Sequence, residues 1–185
     1  MKAIQFIRNS SEAGAAVDVE LPLPVAGGHD LLVKIEAIAM NPVDYKVRPA
    51  EGADPKTLGF DAAGTVVGVG NDITLFAEGD KVYFAGDVTR PGTNAEYQLV
   101  DERIVAKRPA TLGAVKSAAL PLTALTAWES LFDRLGIDFD NANGNAGKSL
   151  LIIGGAGGVG SMAMQLAKLA GLTVIATASR SLSLI

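Results

Sequence analysis

Leu150-Leu151-Ile152-Ile153-Gly154-Gly155-Ala156-Gly157-Gly158-Val159-Gly160 constrains this chain more tightly than any other stretch. Its first four residues are apolar and two are β-branched, a run too short for a helix and suited to a buried strand. Gly155 to Gly160 then fits G-x-G-x-x-G. Val159, Met162, Ala163, Leu166, Leu169 and Ala170 recur every three or four residues, which predicts one apolar face of a helix. Gly171 ends that helix, and Leu172 to Ala176 reads as a second buried strand. The order is strand, glycine turn, helix, strand: a β-α-β unit. Residues without side chains, set ahead of a helix N-terminus, leave unpaired N–H groups open to an anion. The pyrophosphate of a dinucleotide suits that arrangement. An isolated glycine motif is weak, but here the flanking strand, helix and second strand supply the required context. The competing reading is a tight turn that holds no ligand.

At 185 residues the chain has room for one large domain or two small ones. Apolar residues make up 49% and charged residues 19%, enough for a core and unlike a disordered chain. A net charge of −4 gives no sign of a nucleic-acid partner or an anionic membrane. The absence of cysteine rules out disulfides, thiolate metal sites and a cysteine nucleophile in this chain, and it fits a reducing, cytoplasmic setting. The first residues lack the apolar region and cleavage site of a secretory signal, and no apolar run is long enough for a membrane span.

Residues 1–120 read as mostly β. Strands are expected at Lys2 to Ile7, Val17 to Leu23, Leu31 to Met40, Phe60 to Val69, Val82 to Phe84 and Asn94 to Val100. In the third of these Lys34 and Glu36 alternate with Val33, Ile35 and Ala37. His29, the only histidine, falls in a Gly-Gly-His-Asp turn and is expected to be solvated and without a task. Asn41 is placed to cap a short helix whose first residue is Pro42. Several short strands with Gly/Pro/Asp turns suggest a small barrel or sandwich. From Thr111 the pattern turns helical; Pro121 interrupts it, and Leu122 to Leu135 resumes it around Trp128, read as a core residue. Ala142 to Ser149 resembles a relaxed phosphate loop ending in Gly-Lys-Ser. It precedes a strand rather than a helix, so its amides would face the wrong way and it is set aside.

Four segments together resemble the medium-chain dehydrogenase/reductase superfamily, and within it the quinone oxidoreductase branch with its zinc-type alcohol dehydrogenase-like relatives. They are Asn41-Pro-Val-Asp-Tyr-Lys-Val-Arg48, Gly59-Phe-Asp-Ala-Ala-Gly-Thr-Val66, Pro121-Leu-Thr-Ala-Leu-Thr-Ala-Trp128 and Gly154 to Ser161. The resemblance runs from Met1 to about Arg180. It implies an α/β protein with a GroES-like β-barrel substrate domain at 1–120. An incomplete Rossmann domain that binds NADP follows at 121–185.

Zinc-dependent members place a cysteine ahead of the Asp44 region and a histidine in a Gly-His-Glu segment. Here those places read Asn-Pro-Val-Asp and Gly59-Phe60-Asp61, which leaves no thiolate or imidazole, so no metal is expected. Without a Lewis acid, alcohol oxidation loses the group that stabilises an alkoxide. An acceptor such as a quinone or an α,β-unsaturated carbonyl needs only hydrogen-bond donors for its developing negative charge. The resemblance therefore implies a zinc-independent NADPH-dependent reductase of such small molecules. Tyr45 would act as donor and Asn41 would orient nicotinamide or substrate. The structural alternatives are a helix cap for Asn41 and a half-buried aromatic for Tyr45. Gly155, Ala156, Gly157, Gly158, Val159 and Gly160 would hold the cofactor phosphates, with Thr126 near the nicotinamide-side phosphate or ribose. After the second strand no acid appears where an NAD-binding fold presents one to the ribose. Ser179 and Arg180 stand there instead, and a hydroxyl with a guanidinium suits a 2′-phosphate.

A nucleotide domain of this kind needs roughly six strands and only two are evident. The chain is therefore expected to be truncated, with impaired activity and an exposed sheet flank that favours a homo-oligomer. Two further readings stand beside the reductase: a non-catalytic remnant that binds nucleotide or self-associates, and an alcohol dehydrogenase.

Overall fold

The computed structural model of the chain describes residues 1–7, 15–50 and 53–179. The chain divides into two compact units, Met1–Leu122 and Thr123–Ile185, and each has its own core. The β-rich first part and the β-α-β second part expected from the sequence are both present.

In the first unit the elements run β1 (Lys2–Ile7), β2 (Ala15–Glu20), β3 (Asp30–Ala39), α1 (Pro42–Lys46), β4 (Lys56–Thr57), β5 (Asp61–Val69), β6 (Lys81–Ala85), β7 (Tyr97–Asp101), β8 (Val105–Lys107) and α2 (Ala114–Ala118). An antiparallel five-stranded sheet has the order β7-β3-β5-β6-β8, and a smaller one has the order β2-β1-β4. Leu31, Val33, Ala62, Val66, Val82, Phe84 and Val100 form the core of the larger sheet.

Two details depart from simple alternation. The β3–β5 register shifts at Leu32/Val33 and again at Ile35/Ala37, and Leu31, Leu32 and Val33 are all buried in succession. Such irregularities bend a strand and raise its twist, which lets one sheet wrap its core from two sides. The last expected strand starts at Tyr97, three residues late, because residues 94–96 serve both sheets. Ile4 N–H donates to Asn94 O, Glu96 N–H donates to Lys2 O and Ile35 N–H donates to Glu96 O, at 2.8, 3.0 and 2.9 Å.

His29 also corrects the sequence reading. Its Nδ1 lies 3.1 Å from Oε1 of Glu102, a side chain only 2% exposed. The same carboxylate accepts the N–H groups of Thr74 and Leu75 at 3.0 and 2.8 Å. Burial pushes this carboxyl up, but Leu75, His29 and Thr74 outweigh it and hold it below its ordinary value. The turn histidine therefore ties its loop to the segment after β7.

The division between the units falls in the first turn of α3 (Pro121–Trp128). Pro121 opens this helix, in keeping with its preset φ and missing N–H. The helix does not run uniformly to Leu135: Glu129–Arg134 form a wider π-type turn, with Leu135 N–H donating to Ser130 O at 3.1 Å. Trp128 is 40% exposed, with its ring 4.6 Å from Phe132 and 5.0 Å from Phe139, so it edges an aromatic cluster rather than filling the core.

The β-α-β unit is β9 (Ser149–Ile152), α4 (Gly158–Leu169) and β10 (Thr173–Ala176), with the strands parallel and Leu151 opposite Ile175. Leu150, Ile152 and Val174 pack with Ala163, Ala167 and Ala170 on one face. Gly171 takes a φ of +84°, past the end of α4, where residues with a Cβ are strained. The segment ending in Gly147-Lys148-Ser149 leads into β9, so it opens a strand. No helix among the described residues is long and apolar enough to cross a membrane.

Candidate functional site

In the second unit three hydrogen bonds hold the glycine turn, two of them to Thr177 beyond β10. Gly155 N–H donates to Thr177 O at 2.8 Å, Gly154 N–H to Thr177 Oγ1 at 3.0 Å and Gly157 N–H to Gly154 O at 3.0 Å. Gly155 and Gly160 are buried. A Cβ on Gly160 would lie 2.3 Å from Gly154 O, so only glycine lets the helix start pass this close to the turn. Ala156, Gly157, Gly158 and Val159 are exposed. Gly157 is the N-cap of α4 and supplies no side-chain cap. The first-turn amides of a helix have no partner within it, and the helix dipole adds partial positive charge there. The turn therefore combines exposed donors, a positive end and no obstructing side chain, which fits a dinucleotide phosphate.

The other second-unit positions singled out from the sequence lie on neighbouring elements. Thr126 is exposed on α3, and its backbone carbonyl accepts Ser130 Oγ at 2.6 Å. Thr123, on the same helix, approaches the start of α4: a Cβ on Gly158 would sit 3.0 Å from its methyl. Ser179 is exposed just beyond β10, and Arg180 lies outside the described residues.

In the first unit Asn41 is the N-cap of α1, and Pro42 is its first residue. Asp44 Oδ2 accepts Asn41 N–H at 2.8 Å, the reciprocal contact of a capping box. The Asn41 side chain is also committed elsewhere, since its Nδ2 donates to Asp61 Oδ2 at 2.8 Å. One residue thus caps α1 and ties it to the start of β5. Tyr45, one turn along, is 55% exposed. The Arg48 guanidinium lies 5.8 Å from the Tyr45 ring centre and 5.0 Å from that of Phe6, within cation–π range.

Asp61 is the residue that sequence reasoning undervalued. It is 1% exposed, and its two oxygens take separate donors: Asn41 Nδ2 on Oδ2 and Leu122 N–H on Oδ1 at 2.9 Å. Burial pushes its carboxyl up to about 6 despite both hydrogen bonds, and the charge of Asp44 pushes the same way. A signal was present in the sequence: a lone acid inside Gly-Phe-Asp-Ala-Ala-Gly, within a strand that otherwise reads as buried. Among the described residues no three His, Asp or Glu side chains gather to hold a metal ion.

Residues 27–110 match the alcohol dehydrogenase GroES-like domain. A zinc-type alcohol dehydrogenase-like protein of Staphylococcus epidermidis is 48% identical over 184 residues, which cover 97% of this chain and 54% of that protein. The crystal structure of an alcohol dehydrogenase superfamily protein from Novosphingobium aromaticivorans is similar with a TM-score of 0.84 at 37% identity, covering 98% of this chain and 54% of that one. The quinone oxidoreductase from Coxiella burnetii gives 0.76 at 35% identity, covering 97% and 57%. The chain spans about half the length of the curated relatives it matches.

The pH dependence of stability tests the Asp61 assignment. Its folded value of about 6 lies above the ordinary 3.8, so the native state holds this proton more tightly than the unfolded chain. The resulting contribution is complete below the ordinary value and is lost as pH rises through about 6. Urea unfolding of wild type and Asp61→Asn should show wild type losing on the order of 3 kcal/mol relative to the variant between roughly pH 4 and pH 7. A difference that stays constant with pH would mean that this carboxyl titrates normally.

Proposed function

Because this chain belongs to the medium-chain dehydrogenase/reductase superfamily, we propose that it serves an NADPH-dependent, zinc-independent reduction of quinones or α,β-unsaturated carbonyls. The observation that carries the reading is the glycine turn, whose exposed amides and uncapped helix start suit a pyrophosphate. Gly158 and Val159 would present N–H groups to it, with Ala156 beside them and Gly155, Gly157 and Gly160 giving the turn its shape. Thr126 would reach the nicotinamide-side phosphate or ribose. The preference for NADP rests on Ser179, exposed after β10, and Arg180 next to it, with no acid between Thr177 and Arg180. By this reading residues 1–120 form the substrate domain and 121–185 the start of the nucleotide domain.

NADPH, when bound, supplies the hydride. An acceptor that receives it at carbon develops negative charge on its oxygen. The Tyr45 hydroxyl, on an exposed side chain, would be the hydrogen-bond donor and proton source for that oxygen. Asn41, held by Asp61, orients the nicotinamide or the substrate. A tetrahedral zinc does not fit these positions: Asn41, Phe60 and Asp61 stand where metal-binding members place ligands, and the single histidine is engaged with Glu102. That donor set favours an activated acceptor over an alcohol.

Self-association belongs to the same reading. Leu151, Ile153 and Ile175 are 59%, 83% and 55% exposed on the β9–β10 face opposite α4. Apolar residues gathered on one face favour burial against another copy. A cytoplasmic setting fits the absence of cysteine.

Calorimetric titration should show NADPH binding about tenfold more tightly than NADH, the 2′-phosphate supplying charge-assisted hydrogen bonds. Gly160→Ala should abolish binding of both; equal affinity for NADPH in that variant would remove the phosphate assignment. NADPH oxidation by a small quinone should persist in EDTA and fall about a hundredfold in Tyr45→Phe. Turnover that requires added zinc would move the protein to alcohol chemistry. Light scattering behind size exclusion should give a dimer or larger for wild type and a smaller species for Leu151→Glu/Ile175→Glu; a wild-type monomer would end the self-association proposal.

A further inference from the structure

We propose that Asn143 is a site of spontaneous deamidation, and that the Asn141 side chain sets its rate by holding the nucleophile of the reaction, the Gly144 nitrogen. Asn143-Gly144, in the loop ahead of β9, is the only Asn-Gly pair in the chain, and both residues are exposed. Glycine carries no Cβ to shield its nitrogen, so that nitrogen can reach the carboxamide carbon of the preceding side chain. The Gly144 nitrogen attacks Asn143 Cγ, and the new N–C bond closes a five-membered succinimide. The bond from Cγ to Nδ2 breaks, and Nδ2 leaves as ammonia with the proton lost from Gly144. Water then adds to one of the two ring carbonyls. Opening gives aspartate or isoaspartate at position 143, with nothing oxidised or reduced.

The folded turn opposes ring closure twice. Asn143–Asn145 form a single 3-10 turn. Closure requires the Gly144 nitrogen and Asn143 Cβ to eclipse about the Cα–C bond; at the ψ of a 3-10 helix they stand roughly a quarter turn apart. The proton that must leave is also engaged, since Gly144 N–H donates to Asn141 Oδ1 at 2.9 Å. A Cβ on Gly144 would lie 2.5 Å from Asn141 Nδ2, so the glycine that makes the pair reactive also admits the side chain that restrains it. The backbone adds less. Ala146 N–H to Asn143 O, and Asn145 N–H shared between Asn141 O and Ala142 O, all measure 3.2 Å, the long limit for such bonds. A short exposed turn held this way opens locally at small cost, which leaves Asn141 as the latch.

Conversion has a structural consequence. Isoaspartate routes the main chain through Cβ and Cγ, adding one methylene and a negative charge just ahead of Asn145. That residue is 1% exposed and anchors the loop: its Nδ2 donates to Asp138 O and Ala170 O at 2.7 and 2.9 Å, and its Oδ1 accepts Lys148 Nζ at 3.1 Å. The lengthened chain draws this anchor away from the end of α4.

The full chain is incubated at neutral and mildly alkaline pH, folded and in urea, and conversion at position 143 is followed by peptide mass spectrometry. Folded wild type should convert there, faster as hydroxide rises and more slowly than in urea. Asn141→Ala should speed the folded reaction about fivefold, the worth of one hydrogen bond. Asn141→Asp, which keeps an acceptor oxygen, should retain the slow rate. No conversion at this position in the folded chain, while the chain in urea converts, overturns the site. Equal rates for wild type and Asn141→Ala overturn the latch, as does a fast Asn141→Asp. If Asn141→Ala does not fold, hydrogen exchange at the Gly144 amide of wild type decides: an unprotected amide overturns the latch. The isoaspartate form, separated by chromatography, should melt below both wild type and Asn143→Asp, which brings the charge without the methylene. A melt equal to that of Asn143→Asp overturns the release of the Asn145 anchor.

Discussion

The first unit depends on a carboxylate that has no water. Moving an ionised carboxyl into a protein interior is costly unless donors replace its hydration. Asp61 obtains two, the Asn41 amide and the Leu122 backbone N–H, from segments 20 and 61 positions away. It cannot drift to find others. Gly86 N–H donates to Phe60 O, Thr93 N–H to Gly59 O and Asn94 N–H to Leu58 O, so the residues that lead into Asp61 are held on the backbone. One fixed acceptor thus sets where the cap of α1 and the first turn of α3 must come.

What was legible in the sequence follows the range of the interactions involved. Strand, turn, helix and strand over 150–176 are local patterns, and the period-2 and 3.6-residue repeats locate them to within a residue or two. The β-rich first part was legible for the same reason. The departures at residues 94–96 and at His29 involve partners far along the chain. Residues 94–96 read as strand but lace two sheets together, because β1 and β3 both reach them. His29 looks idle in its turn until the fold brings Glu102 beside it, 73 positions on. Trp128 has the composition of a core residue, yet the aromatic cluster with Phe132 and Phe139 leaves one edge of it in water.

The candidate site divides along the same line. Glycines report on backbone, and a backbone-built site is therefore written plainly: the turn forms where G-x-G-x-x-G predicts it. Which of its amides remain available is decided by Thr177, whose carbonyl and hydroxyl take Gly155 N–H and Gly154 N–H once β10 lies parallel to β9. That return leaves Ala156 to Val159 exposed, with the Gly157 N–H turned back onto Gly154 O. In the first unit Asn41 could be read as a cap or as a ligand-facing group, and both readings fit local spacing. The structure shows the cap, and it adds a partner that local spacing could not reveal, the Asp61 carboxylate 20 positions away.

The relation to relatives named for zinc follows from what these residues can supply. A bound divalent cation stabilises negative charge at its open coordination position, so a metal site needs its ligands placed but asks less of the donors around the substrate. A phenol hydroxyl or a carboxamide donates only along its hydrogen-bond axis, and the bond weakens steeply as the angle departs from that axis. Where metal-binding members place cysteine and histidine this chain reads Asn-Pro-Val-Asp and Gly-Phe-Asp, so these places offer a neutral amide and a buried acid rather than a thiolate and an imidazole. The Asn41–Asp61 hydrogen bond joins these two segments, and the backbone bonds around Phe60 fix the acid that makes it, so the positions that would hold a metal are here tied to each other.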